Sequence, residues 1–97
     1  MSPKIDEKIK ETVTENMVRN LGVLRAMLHL SQAELAELIG MGRQNLVSIE
    51  NRKRNMTWST FLSLLFVFSQ NKETRGLLEI FGIYPDELKD IYSDTGR

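Results

Sequence analysis

The sequence predicts an all-α domain of five or six helices, and three observations carry that prediction. Apolar residues recur at i, i+3 and i+4 through most of the chain, and no stretch alternates as a strand would. Ser31 and Thr57 each stand just before an apolar-periodic run, where a hydroxyl can cap a helix. Gly40 and Gly82 stand just after such runs, where a left-handed residue ends one. The chain has 97 residues, enough to bury a single core without staples. With 41% hydrophobic and 27% charged residues, it does not have the composition of a disordered chain. The lack of cysteine excludes disulfides, thiolate metal sites and thiol nucleophiles.

Residues 1–17 read as a helical N-terminal extension. Ile5, Ile9 and Val13 form a narrow i, i+4 stripe among alternating charges, where Glu7 and Glu11 can support Lys8 and Lys10. The stripe continues through Met17, Leu21, Leu24 and Leu28, so residues 4–28 form either one helix or two. Asn16, Asn20 and Gly22 weaken the continuity. The extension either packs on its own domain or pairs with a second subunit. The first core helix is expected to end at Leu28 or His29. His29 is the sole histidine and has no carboxylate cluster near it in sequence, so it reads as a capping or surface residue, not a ligand or catalyst.

Leu30 to Asn51 is the organising stretch. Ser31 and Glu34 form a capping-box pair, and Leu35, Leu38 and Ile39 share one inward face. Ala36 is small enough for a second helix to cross closely. Gly40 ends this helix, and a new one begins three residues later with Leu46 and Ile49 inward. Its outward face carries Arg43, Gln44, Asn45 and Ser48, side chains able to hydrogen-bond base edges. One buried and one presented helix make a helix-turn-helix at about residues 32–51.

Residues 52–56 read as a basic loop, and Thr57 caps a helix from Trp58 to about Ser69. Trp58, Phe61, Leu62, Leu65 and Phe68 form its inner stripe. Leu64, Phe66 and Val67 make it apolar nearly all round, which implies burial on two sides. After a linker at residues 70–72, a helix is expected from Glu73 to Phe81, closed by Gly82. Pro85 opens a short last helix over Asp86 to Tyr92, and Ser93 to Arg97 fray. Residues 18–70 thus form the core, and 71–97 are C-terminal helices suited to dimerisation. The apolar excess at Leu64, Phe66, Val67, Leu77, Phe81, Ile83, Tyr84 and Ile91 is expected to serve both fold completion and dimer contact, the alternative being that all of it serves one monomeric core.

The formal net charge is zero, but it is unevenly distributed. Over residues 43–58, Arg43, Arg52, Lys53 and Arg54 stand against Glu50, a net +3. Over residues 73–97, six carboxylates stand against Arg75, Lys89 and Arg97, a net −3. The basic end coincides with the outward-facing helix, as an oriented DNA contact requires. The start, Met1 to Lys4, is not that of a secretory signal. The apolar run from Phe61 to Phe68 is far shorter than the roughly 20 residues of a membrane span. A cytoplasmic protein without membrane association is expected.

At Leu30-Ser31-Gln32, Ala36, Gly40-Met41-Gly42 and Ile49-Glu50-Asn51 the sequence resembles the Cro/repressor (Xre-type) helix-turn-helix family. The Gly-Met-Gly turn looks like that of lambda-type repressors, so the resemblance implies a lambda-repressor-like bundle and its docking mode. It covers roughly Val18 to Gln70. It implies that Gln32 touches a phosphate and braces the next helix, and that Arg43 and Gln44 are the first base-reading residues. Asn45 and Ser48 share their face. Arg43 suits guanine O6 and N7, and Gln44 suits adenine N6 and N7. Asn51, Arg52, Lys53, Arg54 and Asn55 match the loop that grips the phosphate backbone. Arg25 and Glu50 match a structural ion pair that orients the recognition helix from behind. Two positions depart from the family pattern. Arg52 stands where glycine is usual, at a steric cost in the left-handed conformation. Gly42 replaces the usual serine or threonine cap.

The expected function is that of a repressor-like, sequence-specific regulator of transcription that binds double-stranded DNA as a homodimer. Its recognition helix, about residues 43–51, lies in the major groove. The alternative is a protein-binding module on the same fold, such as an antitoxin or anti-repressor. No enzyme is expected. Ser31, Ser48 and Ser59 have no assignable histidine–carboxylate partners, Gly40-Met41-Gly42 is too short to cradle a phosphate, and Asp86, Glu87 and Asp90 read as a solvated helix face. Neither a cofactor nor a small-molecule ligand is expected.

Overall fold

The computed structural model describes residues 6–84. Its first element, α1 (Glu7–Met27), is a single unbroken helix that crosses the 17/18 boundary between extension and core. Asp6 caps it by accepting the Lys8 N–H. The two asparagines expected to weaken it are absorbed. Asn20 Nδ2 donates to the Asn16 carbonyl one turn back at 2.8 Å, and Asn16 Nδ2 donates to the Gly82 carbonyl at 2.9 Å. Val13, Met17, Leu21 and Leu24 form the buried stripe, so the extension packs on its own domain.

The remaining elements are α2 (Gln32–Leu38), α3 (Arg43–Glu50), α4 (Trp58–Gln70), α5 (Lys72–Arg75) and α6 (Leu77–Ile80). The described residues are all-helical and contain no strand. The core draws on every element: Leu35 and Ala36 from α2, Leu46 and Ile49 from α3, and Phe61, Leu64, Leu65 and Phe68 from α4. Thr74, Leu78 and Ile83 close its far end. Thr74 is buried at no hydrogen-bonding cost because its hydroxyl donates to the Phe68 carbonyl at 2.6 Å.

Four chain reversals are built the same way. After α1, α2, α3 and α6 the residues His29, Gly40, Arg52 and Gly82 take φ of +58°, +73°, +63° and +72°. In each, the following N–H returns to a carbonyl five residues back: Leu30 to Arg25, Met41 to Ala36, Lys53 to Ser48 and Ile83 to Leu78. These are Schellman closures, which satisfy carbonyls that a helix end leaves open. Gly40 and Gly82 act as expected. The last residue of α1 is Met27, and His29 occupies the left-handed position beyond it, exposed to solvent.

Three expectations are corrected. Leu38, assigned to the inward face of α2, is 61% exposed, because it ends α2 over an open groove shared with Leu62, Phe66 and Val67 of α4. The single helix expected over Glu73 to Phe81 is two short ones, parted at Gly76, whose missing side chain leaves that turn without support. In α4, Leu64 is fully buried, whereas Trp58 and Leu62 of the expected inner stripe are half-buried. Of the apolar excess, Leu64 and Ile83 are core, Val67, Leu77, Phe81 and Tyr84 pack against it, and Phe66 remains 65% exposed. Ile91 and the helix expected over Asp86 to Tyr92 lie outside the described residues.

Candidate nucleic-acid interface

The interface is built on α3, which is anchored on one face and presented on the other. Leu46 and Ile49 fix it to the core. Its carboxylate Glu50 is the hub of a bracing network. Arg25 Nε donates to Glu50 Oε2 at 3.0 Å and Arg25 Nη2 to Oε1 at 3.3 Å. Gln32 Nε2 donates to the same Oε1 at 3.0 Å. Arg25 Nη1 also donates to the Leu30 carbonyl at 3.0 Å. The Glu50 carboxylate thereby ties α1, α2 and α3 together, and the Arg25 guanidinium adds the turn before α2. The side chains of Arg25 and Glu50 are only 22% and 12% exposed, so the pair sits in a poorly hydrated position.

The entry to α3 follows from the capping of α2. Ser31 Oγ accepts the Glu34 N–H at 3.0 Å, and Glu34 Oε1 accepts the Ser31 N–H at 2.8 Å. This capping box fixes where α2 starts. That backbone donor, and the Ser31 hydroxyl after it, hold the Glu34 carboxyl below its usual range. Gly40 then reverses the chain, and Gly42 opens α3 from an extended conformation with no side-chain cap.

Arg43, Gln44 and Asn45, consecutive in the first turn of α3, are all exposed, and Ser48 one turn later is half-buried. Asn51, Lys53, Arg54 and Asn55 are exposed at the other end of α3, about 12 Å away along the axis for a helix of this length. The Ser48 carbonyl accepts the N–H groups of Lys53 at 2.8 Å and Arg54 at 3.2 Å, pinning the basic loop to the helix. Among the described residues, Arg43, Lys53 and Arg54 have no carboxylate partner.

Arg52 and Gln32 are placed differently. Gln32 is half-buried with its amide on Glu50, in the bracing position. Arg52 turns toward α1, where Nη1 and Nη2 donate to the two oxygens of Glu15 at 2.9 Å each. Arg19 approaches the same carboxylate at 3.5 Å. Hydrogen bonding from Arg52 is the main reason the Glu15 carboxyl is held below its usual range. Sequence reading missed this partner because Glu15 and Arg52 are 37 positions apart, and neither carries a local sign of the other.

Residues 23–61 match the family model described as helix-turn-helix. No curated protein and no solved structure matched the chain. The matched segment runs from the C-terminal half of α1 to the first turn of α4, so it contains the whole bracing network, α3 and the basic loop. Over these residues the chain is similar to helix-turn-helix domains of the Cro/C1, Xre-like type. No described helix is long and apolar enough to cross a membrane. Among the described residues, no group of three or more histidine and carboxylate side chains is gathered to hold a metal ion.

Proposed function

We propose that this protein is a sequence-specific, repressor-like regulator that reads double-stranded DNA with α3 in the major groove. The observation that carries this reading is the contrast between the two faces of α3. Glu50 is braced from behind by Arg25 and Gln32, while Arg43, Gln44 and Asn45 stand exposed at the start of α3, their side chains without a partner among the described residues. Arg43 fits guanine and Gln44 fits adenine, with Asn45 and Ser48 beside them. Asn51, Lys53, Arg54 and Asn55 supply the contacts to phosphate that set register.

A homodimer is part of this reading, since one eight-residue helix spans only a few base pairs. Support comes from a mainly apolar groove, interrupted by Ser59 and Ser63, in which Leu38 and Phe66 are exposed beside Leu62 and Val67. Association through such a surface predicts a palindromic site, with half-sites separated by about 34–36 Å. A gel-shift titration at increasing salt is the test. Binding that weakens steeply with salt supports the DNA reading. No retention at low salt contradicts it and favours a protein-binding module.

A further inference from the structure

We propose that Glu15 is an internal competitor of DNA: its carboxylate occupies the guanidinium fork of Arg52 that a phosphate would otherwise take, and so holds down affinity for all sequences alike. This rests on the DNA-binding reading and concerns a residue outside the helix-turn-helix segment. Carboxylate and phosphate present paired oxygens to a guanidinium in the same way, and Glu15 engages Arg52 through both of its oxygens at 2.9 Å. The residues on either side, Asn51 and Lys53, are exposed.

Two features make the interaction an exchangeable restraint and not a fixed brace, and a third sets further negative charge beside it. The Glu15–Arg52 pair is open to water, with side chains 45% and 53% exposed, unlike the shielded Arg25–Glu50 pair. The backbone of Arg52 is held by the Schellman closure through Ser48 and Ile49, so the guanidinium can change partner by side-chain rotation with its root in place. Glu15 is also the last of three carboxylates at four-residue spacing, Glu7, Glu11 and Glu15. These line one cleft of about 450 Å³ together with Arg52 and Arg54. Like charges at that spacing weaken a helix, so the line needs cations beside it. Lys10 at 3.6 Å from Glu7, Arg19 and Arg52 supply them. With Glu15 in place, a phosphate that approaches Arg52 meets a fork already filled and a like charge beside it.

The test is DNA affinity of the full chain by fluorescence anisotropy on one fixed duplex, between about 50 and 200 mM salt. Glu15→Gln should bind about two- to fivefold tighter, the range an exposed ion pair can withhold. The slope of log affinity against log salt should steepen by about 0.9, because Arg52 then neutralises one more phosphate. Arg52→Ala should change that slope little in the wild-type background and reverse the tighter binding in the Glu15→Gln background. Glu11→Gln removes the same charge one turn away without touching Arg52, and should tighten binding less, with no change of slope. Unchanged or weaker binding by Glu15→Gln, or equal effects of Glu11→Gln and Glu15→Gln, overturns the inference while leaving the DNA reading intact. Binding by none of the proteins overturns both.

Discussion

Arg25 and Glu50 meet across 25 residues of sequence through two hydrogen bonds of 3.0 and 3.3 Å, and this pair braces α3 against α1. Its partners come from α1 and the end of α3, while Gln32 adds a third donor from α2. Removing one member leaves the other largely buried and uncompensated. Arg25→Ala should therefore destabilise the fold by about 3–5 kcal/mol, measured by urea unfolding. A loss within the range of ordinary surface substitutions would mean that the pair does not hold the motif together.

Gly40 and Gly82 share a left-handed backbone but not their surroundings. An added Cβ at Gly40 meets nothing, whereas at Gly82 it would stand 2.8 Å from Asn16 Nδ2. Gly40→Ala should cost about 1–2 kcal/mol, the left-handed penalty alone. Gly82→Ala should cost more, because it must also displace the Asn16 amide that donates to the Gly82 carbonyl. Thermal or urea denaturation of the two variants compares them directly, and equal losses would contradict the packing of α1 against the turn after α6.

His29 offers the converse. Its backbone N–H donates to the Ala26 carbonyl, but among the described residues its imidazole makes no hydrogen bond to offset φ +58°, so His29→Gly should raise stability by about 1 kcal/mol in the same assay. A loss would show that the imidazole contributes to closing α1.

How much of this architecture was legible in the sequence depends on how local each cause is. The caps at Ser31 and Thr57, the reversals at Gly40 and Gly82, and the inward placement of Leu35, Ala36, Leu46 and Ile49 follow from neighbours within one or two turns. Those expectations match the structure. The Arg25–Glu50 pair is legible only through the family resemblance, not from spacing. What escaped depends on tertiary placement. Leu38 lies where α2 ends, Gly76 parts a helix whose apolar pattern runs straight through it, and Glu15 finds Arg52 only because the loop folds back on α1. The left-handed strain foreseen at Arg52 is present, but the direction of its side chain was not readable.

Acid should weaken the fold through Glu15 and Glu34. Both carboxyls are held below their ordinary value of 4.5, Glu15 chiefly by hydrogen bonding from Arg52 and Glu34 by the Ser31 N–H. A lowered native value means that the stabilisation is fully present above 4.5 and is lost as pH falls through the native value. A Glu15→Gln/Glu34→Gln variant should be less stable than wild type near neutrality and should lose less on acidification below that value. Parallel stability–pH curves for the two proteins would contradict these hydrogen bonds.

Sequence-specific reading by α3 is tested most directly by selecting bound duplexes from a random pool with the wild type and with Arg43→Ala. The wild type should enrich a palindromic consensus. Arg43→Ala should recover the same site relaxed at one position in each half, a loss of about 1–3 kcal/mol of discrimination there. No enrichment by the wild type, or an identical consensus from Arg43→Ala, would contradict the assignment of α3 as the recognition helix.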